Sequence, residues 1–133
     1  PAPPVARDAI LPRPLREAIG GGFRDVRWRF VMPGVSRCDI AVEGPEQAML
    51  LRVRPGAGVP AHTHTGEEAT LVLSGALSDR GAIYRPGDVA FADAQDDHLP
   101  RAEPGADCVC FALMSGSLRF TGRFGRALNL FAE

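Results

Sequence analysis

The hydrophobic residues of this chain lie in short segments that are separated by glycine and proline. Within most of these segments apolar and polar residues alternate, which is typical of β-strands with one face toward a core. The pattern predicts six strands, at residues 26–31, 37–42, 48–53, 69–73, 89–92 and 108–114. Turn sequences such as Pro33-Gly34 and Pro86-Gly87 stand between them. Short strands with such regular turns favour an all-β sandwich or barrel.

The two ends of the chain differ in character from its middle. Residues 1–22 contain five prolines and end in three consecutive glycines. Because proline lacks a backbone donor and fixes its φ angle, this segment predicts an extended N-terminal arm or linker, with room for one helical turn at 15–19. The β-domain then occupies residues 23–121. Residues 122–133 are apolar with arginine and predict a C-terminal tail, either a short helix or a segment packed on the barrel.

The composition narrows the function mainly by exclusion. The chain has 133 residues, a length typical of one domain, and a net charge of -1. All 15 basic residues are arginine, which excludes chemistry that needs a lysine, such as a Schiff base or a P-loop. The near-neutral charge argues against a nucleic-acid partner, and the lack of a long apolar run argues against a membrane partner. With three cysteines and no export signal, we expect a cytoplasmic protein.

The three histidines of the chain, His62, His64 and His98, could form one metal site. If His62 and His64 lie on a strand, the two-residue period puts both rings on the same face. Glu67 and Glu68 follow at the next turn, and a hairpin-like return would bring one of these carboxylates over the pair. With His98 from a later segment, the site would offer three nitrogens and one oxygen. This donor set suits zinc, iron, manganese, nickel or copper.

Each of these residues also has a simpler interpretation. A His-x-His pair on a strand is often a packing feature, and two glutamates at a turn are usually solvated. His98 follows Asp96 and Asp97, so it could be a surface histidine in a salt link. The metal-site interpretation is favoured because all the histidines of the chain fall on one spaced pattern that extends through its glycines.

The spacing of this pattern resembles the first motif of the cupin family at every signature position. In this chain it reads Gly56-x5-His62-x-His64-x3-Glu68-x6-Gly75. Residues 81–88 with Phe91 and His98 look like the second cupin motif in a looser form, because the usual Pro-x-Gly-x-x-His is missing. The resemblance covers roughly residues 24–119, which is most of the chain.

The cupin resemblance implies both a fold and a ligand set. The fold would be all-β, a cupin double-stranded β-helix or jelly-roll barrel at residues 23–121, preceded by the N-terminal arm. The metal ligands would be His62, His64, Glu68 and His98. Glu68, and not Glu67, keeps the spacing of the motif.

A narrower resemblance points to the C-terminal cupin domain of ChrR-type anti-sigma factors. It rests on residues 62–75, 85–89, 107–110 and 118–120. In that family the cupin domain binds zinc and is needed for the response to singlet oxygen and organic peroxides, while a zinc-binding helical domain in front of it holds a sigma factor. No histidine precedes His62 here, so we expect that helical domain to be absent from this chain. The chain would then be the sensory part of such a factor or a free-standing cupin, with a sigma factor as a partner only through the absent domain.

Three classes of function therefore remain open. We favour a metal-binding sensory or regulatory module, with zinc as the expected metal, because four protein ligands close a tetrahedral shell. The alternative is a small metal-dependent cupin enzyme (a dioxygenase, lyase or isomerase) that uses iron, manganese or nickel. Its catalytic residues are unknown, with Tyr84 and Glu67 as acid–base candidates. A third possibility is a binding module for a small polar ligand in the mouth of the barrel.

The remaining residues of interest are cysteines and aromatics. Cys108 and Cys110 would face the same way on one strand, poorly placed for an unstrained disulfide. They are either small core residues or a redox-sensing or metal-adjacent thiol pair. Trp28, Phe30 and the apolar tail offer surface to bury, from which we expect a homodimer.

Overall fold

The structure of the chain is a computed structural model that describes residues 8–60 and 62–121. The predicted tail at 122–133 and residues 1–7 of the predicted arm lie outside the described residues. One α-helix, α1, spans Arg13–Ile19, and a 3-10 turn spans Phe23–Asp25. The strands are β1 Arg29–Met32, β2 Val35–Ile40, β3 Gln47–Val53, β4 His62–His64, β5 Glu68–Ser74, β6 Leu77–Asp79, β7 Ala82–Tyr84, β8 Val89–Ala92, β9 Arg101–Ala102, β10 Cys108–Met114 and β11 Leu118–Phe120. No helix in this part of the chain has the length and apolar character needed to cross a lipid bilayer.

Within the described residues the strands form three antiparallel sheets. The large sheet has six strands in the order β1-β2-β3-β10-β5-β8, a second sheet has the order β7-β6-β9, and the third pairs β11 with β4. Residues from all three sheets line one internal cavity. The large sheet therefore forms one wall of a barrel and the two small sheets form the facing wall, in agreement with the predicted all-β class.

The six predicted strands correspond to β1, β2, β3, β5, β8 and β10. The bounds of β8 and β10 agree with the prediction, and the other four shift at one or both ends. The largest shift is at β1, because Val26 is buried beside the 3-10 turn instead of starting a strand. The alternation of residues did not predict the five other strands, β4, β6, β7, β9 and β11. For β4 alone, the metal-site hypothesis had assumed that His62 and His64 lie on a strand. Strands of two or three residues are too short to show a period of two.

Two apolar clusters lie on opposite faces of the large sheet. The inner cluster lies between the sheets and contains Val35, Val53, Val72, Leu77, Ala102, Cys108 and Cys110. The outer cluster contains Leu11, Leu15, Val26 and Leu50. β3 contributes to both clusters because its successive side chains point to opposite faces.

Residues 8–22 of the predicted arm are packed on the outer face of the large sheet. Leu11 is 1% exposed and Leu15 is 8% exposed, and both lie in the cluster with Leu50. The carboxylate of Asp8 accepts hydrogen bonds from the backbone N–H groups of Leu11 (2.9 Å) and Phe23 (2.6 Å), which ties the two ends of the segment together. These bonds, the one from Leu11 first, lower the pKa of Asp8. Burial of the leucines outweighs the extended preference of the prolines.

Candidate metal centre

Strand β4 places His62 and His64 inside the barrel. Their exposed fractions are 2% and 1%, which confirms the expectation that the two rings share a face. His98 lies beside them because its backbone pairs with that of His62, with N···O distances of 2.9 Å and 2.8 Å in the two directions. His98 is also buried, at 5%. The two-residue period of strand β4 and the backbone bridge therefore bring all three rings together.

The three histidines offer ring nitrogens that lie within 4.8 Å of one another. The shortest distance joins His64 Nε2 and His98 Nε2, at 3.0 Å. A tetrahedral zinc ion with Zn–N bonds of 2.0–2.1 Å holds its nitrogens about 3.3 Å apart, close to this value. Three imidazole nitrogens in a buried site suit a divalent transition metal, so the residues fit the ion that the sequence predicts.

The outer nitrogens of two rings are held by acceptors. His62 Nδ1 lies 2.9 Å from the backbone oxygen of Pro60, and His98 Nδ1 lies 2.7 Å from Asp79 Oδ2. Because a carbonyl and a carboxylate accept, both Nδ1 atoms carry a proton, and in the neutral form of each ring Nε2 is then the unprotonated nitrogen. Such a tautomer presents the Nε2 lone pair to an ion.

Burial keeps His62 and His64 neutral. The pKa of both His62 and His64 is lowered from 6.5 to about 4, mainly by loss of solvation and in smaller part by the neighbouring imidazoles. Neutral imidazole is the form that binds metal, so no proton has to be displaced at neutral pH.

Glu68 is the first residue of β5 and stands beside the histidines. Its Oε2 lies 3.5 Å from His64 Nε2, and its Oε1 accepts a hydrogen bond from the hydroxyl of Thr70 at 3.1 Å. The turn between β4 and β5 thus brings one carboxylate back to the histidine pair. Glu67 is exposed, and its backbone N–H donates to the hydroxyl of Ser115. The structure therefore places Glu68, and not Glu67, at the site.

Asp79 is a member of the site that the sequence analysis missed. It lies on β6, is 4% exposed, and holds His98 through the 2.7 Å contact. Its Oδ1 is buried and has no hydrogen-bond partner among the described residues. Arg80 Nε lies 3.6 Å from its Oδ2. The one signal in the sequence was that Asp79 stands two residues after Leu77, so an inward leucine implies an inward aspartate.

The cavity next to these residues has a volume of about 640 Å³. His62, His98, Glu68, Thr70 and Asp79 line it together with apolar residues of the large sheet. Tyr84 and Glu67, the acid–base candidates of the enzyme hypothesis, are not among the described residues that line it. The structure therefore does not bring these two side chains to the candidate metal site.

Cys108 and Cys110 are both buried in the inner cluster, and their Sγ atoms lie 3.4 Å apart. Cys110 also lines the cavity. The hydrogen bond with Cys108, together with burial, raises the pKa of the Cys110 thiol. The pair is thus part of the core, with one member at the cavity wall.

The aromatic residues expected at an interface have different environments. Trp28 packs edge-on against Phe23, with ring centroids 6.0 Å apart, and belongs to the outer cluster. Phe30, on the edge strand β1, is 72% exposed. Of the two, Phe30 offers the larger exposed surface.

Comparisons with known proteins agree with this architecture. The family model of the ChrR cupin-like domain matches residues 17–117. The anti-sigma-E factor ChrR of Cereibacter sphaeroides is 41% identical over 120 residues, which cover 90% of this chain and 56% of the relative. The chain therefore spans about half the length of this curated relative.

Solved structures show the same fold. In the crystal structure of Rhodobacter sphaeroides SigE in complex with the anti-sigma ChrR, a chain matches with a TM-score of 0.74 and 40% identity, over 78% of this chain and 56% of that chain. An RmlC-like cupin protein from Ralstonia eutropha JMP134 matches with a TM-score of 0.65 and 20% identity, over 82% of this chain and 81% of that chain. The second likeness concerns the fold alone, and together they confirm the predicted cupin barrel.

Proposed function

The chain belongs to the ChrR cupin-like domain family, and on this basis and that of the buried histidines we propose that it is the metal-binding sensory module of a ChrR-like anti-sigma factor. The resemblance to ChrR-type factors drawn from the sequence is thereby confirmed at the level of the family. The observation that carries the proposal is the convergence of three buried imidazoles with the Glu68 carboxylate at 3.5 Å.

The proposed ligands are His62, His64, Glu68 and His98, and the proposed metal is zinc. A bound ion would supply a closed, redox-inert tetrahedral crosslink. The ligands come from β4, from the start of β5 and from the segment between β8 and β9, so such a crosslink would join the large sheet to the facing wall. Metal binding and folding of the barrel would then be coupled.

In this proposal a signal acts by weakening the metal site. Oxidation or displacement of a ligand would loosen the barrel wall, and a sigma factor held by a preceding domain would be released. The expected signals are oxidants such as singlet oxygen or peroxides, with Cys108 and Cys110 as candidate thiol sensors because Cys110 lines the same cavity. We further propose a cytoplasmic homodimer. Light scattering that shows a monomer at micromolar concentration would remove the dimer.

A matched pair of variants tests the metal site. Metal content of the purified chain is measured by mass spectrometry, and X-ray absorption gives the coordination number. We expect one zinc per chain with four protein ligands, a lower melting temperature after chelation, and a clear loss of zinc affinity in Glu68→Gln. Glu67→Gln is the control, because the carboxylate of Glu67 is next to Glu68 in the sequence but is exposed. Absence of stoichiometric metal, or full stability after chelation, would contradict the proposed metal site.

The cavity favours a second candidate function, a small metal-dependent cupin enzyme. The cavity lies directly beside the proposed metal ligands and has room for a substrate. An iron, manganese or nickel ion with bound water in the X-ray absorption data would support this candidate over the sensor. A four-coordinate zinc without water would count against it.

A further inference from the structure

The cavity beside the proposed metal ligands has an apolar wall that the metal site does not use. Its volume of about 640 Å³ is within the range of small-molecule sites, roughly 300–1,000 Å³. Val35 of β2 and Met49, Leu51 and Val53 of β3 line it from the large sheet. A wall of this kind favours a ligand with an apolar body.

A positive cluster stands against this wall. Arg29 of β1 and Arg37 of β2 are directly opposite each other in the antiparallel register, so their side chains share a face, and both line the cavity. Arg29 Nη2 lies 3.0 Å from Asp39 Oδ2, and Arg37 Nε lies 2.9 Å from Asp39 Oδ1. Two guanidinium groups share one carboxylate, which leaves one positive charge in excess.

This cluster lies at the open end of the cavity. The side chains of Arg29 and Asp39 are 67% and 54% exposed, and that of Arg37 is 27% exposed. Exposed arginine–aspartate pairs contribute little to stability. Each guanidinium also has five N–H donors, more than the two oxygens of Asp39 can use. A second carboxylate can therefore bind at the cluster without displacing a costly interaction.

We propose that the cavity binds a small amphipathic carboxylate, with its carboxylate at Arg29 and Arg37 and its apolar chain along Met49, Leu51 and Val53. The planar guanidinium groups match a carboxylate with two parallel hydrogen bonds, which an alcohol or an ammonium group cannot form. This inference goes beyond the proposed function and does not rest on it. The recognition itself depends on the cavity and the two arginines.

Methionine methyl groups report on the cavity directly. The chain has three methionines, of which Met32 and Met49 line the cavity, whereas Met114 is not among the described residues that line it. The metal-loaded chain with ¹³C-labelled methionine methyls is titrated with sodium octanoate. We expect saturable shifts that are largest at Met32 and Met49 and smallest at Met114. Affinity for 1-octanol and for octylammonium should be weaker by about tenfold or more.

Two arginine variants test the placement of the carboxylate. Arg37→Gln should weaken octanoate binding about tenfold or more. Arg52→Gln is the matched control, because Arg52 lies on the outer face over Phe23 and pairs with Asp107, and it should bind octanoate like the unchanged chain. An unshifted Met114 signal and the circular dichroism spectrum verify that each variant is folded.

The outcomes separate this inference from the metal site, because metal content is measured in the same samples. If a chain with full metal content shows no saturable shifts, the proposal that the cavity binds a carboxylate is overturned and the metal proposal is unaffected. Equal affinity for octanol and octanoate, or unchanged binding in Arg37→Gln, also overturns it. Binding that is lost in Glu68→Gln but kept in Arg37→Gln would place the carboxylate at the metal and contradict the arginine site.

Discussion

Replacement of Asp79 tests whether the carboxylate behind His98 sets the strength of the metal site. The contact between Asp79 Oδ2 and His98 Nδ1 is 2.7 Å long, and both side chains are 3% exposed. A short, charge-assisted hydrogen bond in a buried place fixes the ring and keeps the proton on Nδ1, so that Nε2 faces the proposed ion. We expect the loss of this contact to lower zinc affinity without removing any ligand.

The size of the effect follows from what each variant keeps. Asparagine retains a neutral acceptor, so Asp79→Asn should lower zinc affinity by about tenfold, or about 1.4 kcal/mol. Alanine retains no acceptor, so Asp79→Ala should lower it by about 100-fold, or about 2.8 kcal/mol. Affinity is measured by competition with a chromophoric chelator at pH 7.

A spectroscopic readout separates positioning of His98 from a general loss of stability. Long-range proton–nitrogen NMR spectra assign the tautomer of each of the three histidines. His98 should change its tautomer in Asp79→Ala while His62, which is held by Pro60, keeps its own. Asp97→Asn is the control, because Asp97 directly precedes His98 but is exposed and bonded to Thr121. Unchanged affinity in Asp79→Ala, or an equal loss in Asp97→Asn, would refute the reasoning.

Three further predictions concern stability. In the metal-free chain, His62 and His64 have a pKa of about 4 when folded, below the reference value of 6.5. The stability that these two neutral histidines contribute is therefore complete above about pH 7 and is lost as the pH falls from 6.5 toward 4. A urea midpoint that is the same at about pH 7 and at about pH 5 would contradict this. Leu11→Ala should destabilise the chain by about 2–4 kcal/mol in urea without changing its metal content, because Leu11 is 1% exposed on the outer face. Gly75→Ala should lower the melting temperature more than Gly81→Ala: both have a positive φ, but a Cβ at Gly75 would lie 2.2 Å from a backbone oxygen, whereas one at Gly81 would meet nothing within 4 Å. Equal shifts in these two variants would rule out the steric cause.

The strands that the sequence predicted well are those whose residues carry enough local information. β10 has seven residues, mostly apolar, and β8 follows directly after the turn that contains Pro86-Gly87. The sequence therefore predicted the first and last residues of both strands correctly. β6 and β9 have three and two residues and pair with each other, and β6 also pairs with β7. The pairing of β6 with β9 joins segments far apart in the chain, which no local pattern encodes.

The N-terminal segment shows a competition that local preferences do not decide. Its prolines favour extended backbone, and the sequence therefore predicted an arm. Leu11 and Leu15 nevertheless find an apolar surface at Leu50, on the outer face of the large sheet. That surface forms only when β3 is paired on both sides. The position of residues 8–22 therefore depends on the assembled sheet and not on the local sequence.

The sequence by itself determined the cupin spacing, and with it the positions of His62, His64 and Glu68 relative to one another. A two-residue strand period and a short turn are enough to bring these three together, because all lie within seven consecutive residues. Tertiary structure decided the rest of the centre. His98 reaches the site through a backbone bridge to His62, and Asp79 reaches His98 across a separation of 19 residues through the register of a small sheet. Such contacts between distant segments arise from the packing of the sheets, and that packing also creates the cavity, at whose open end the pairing of β1 with β2 sets Arg29 opposite Arg37.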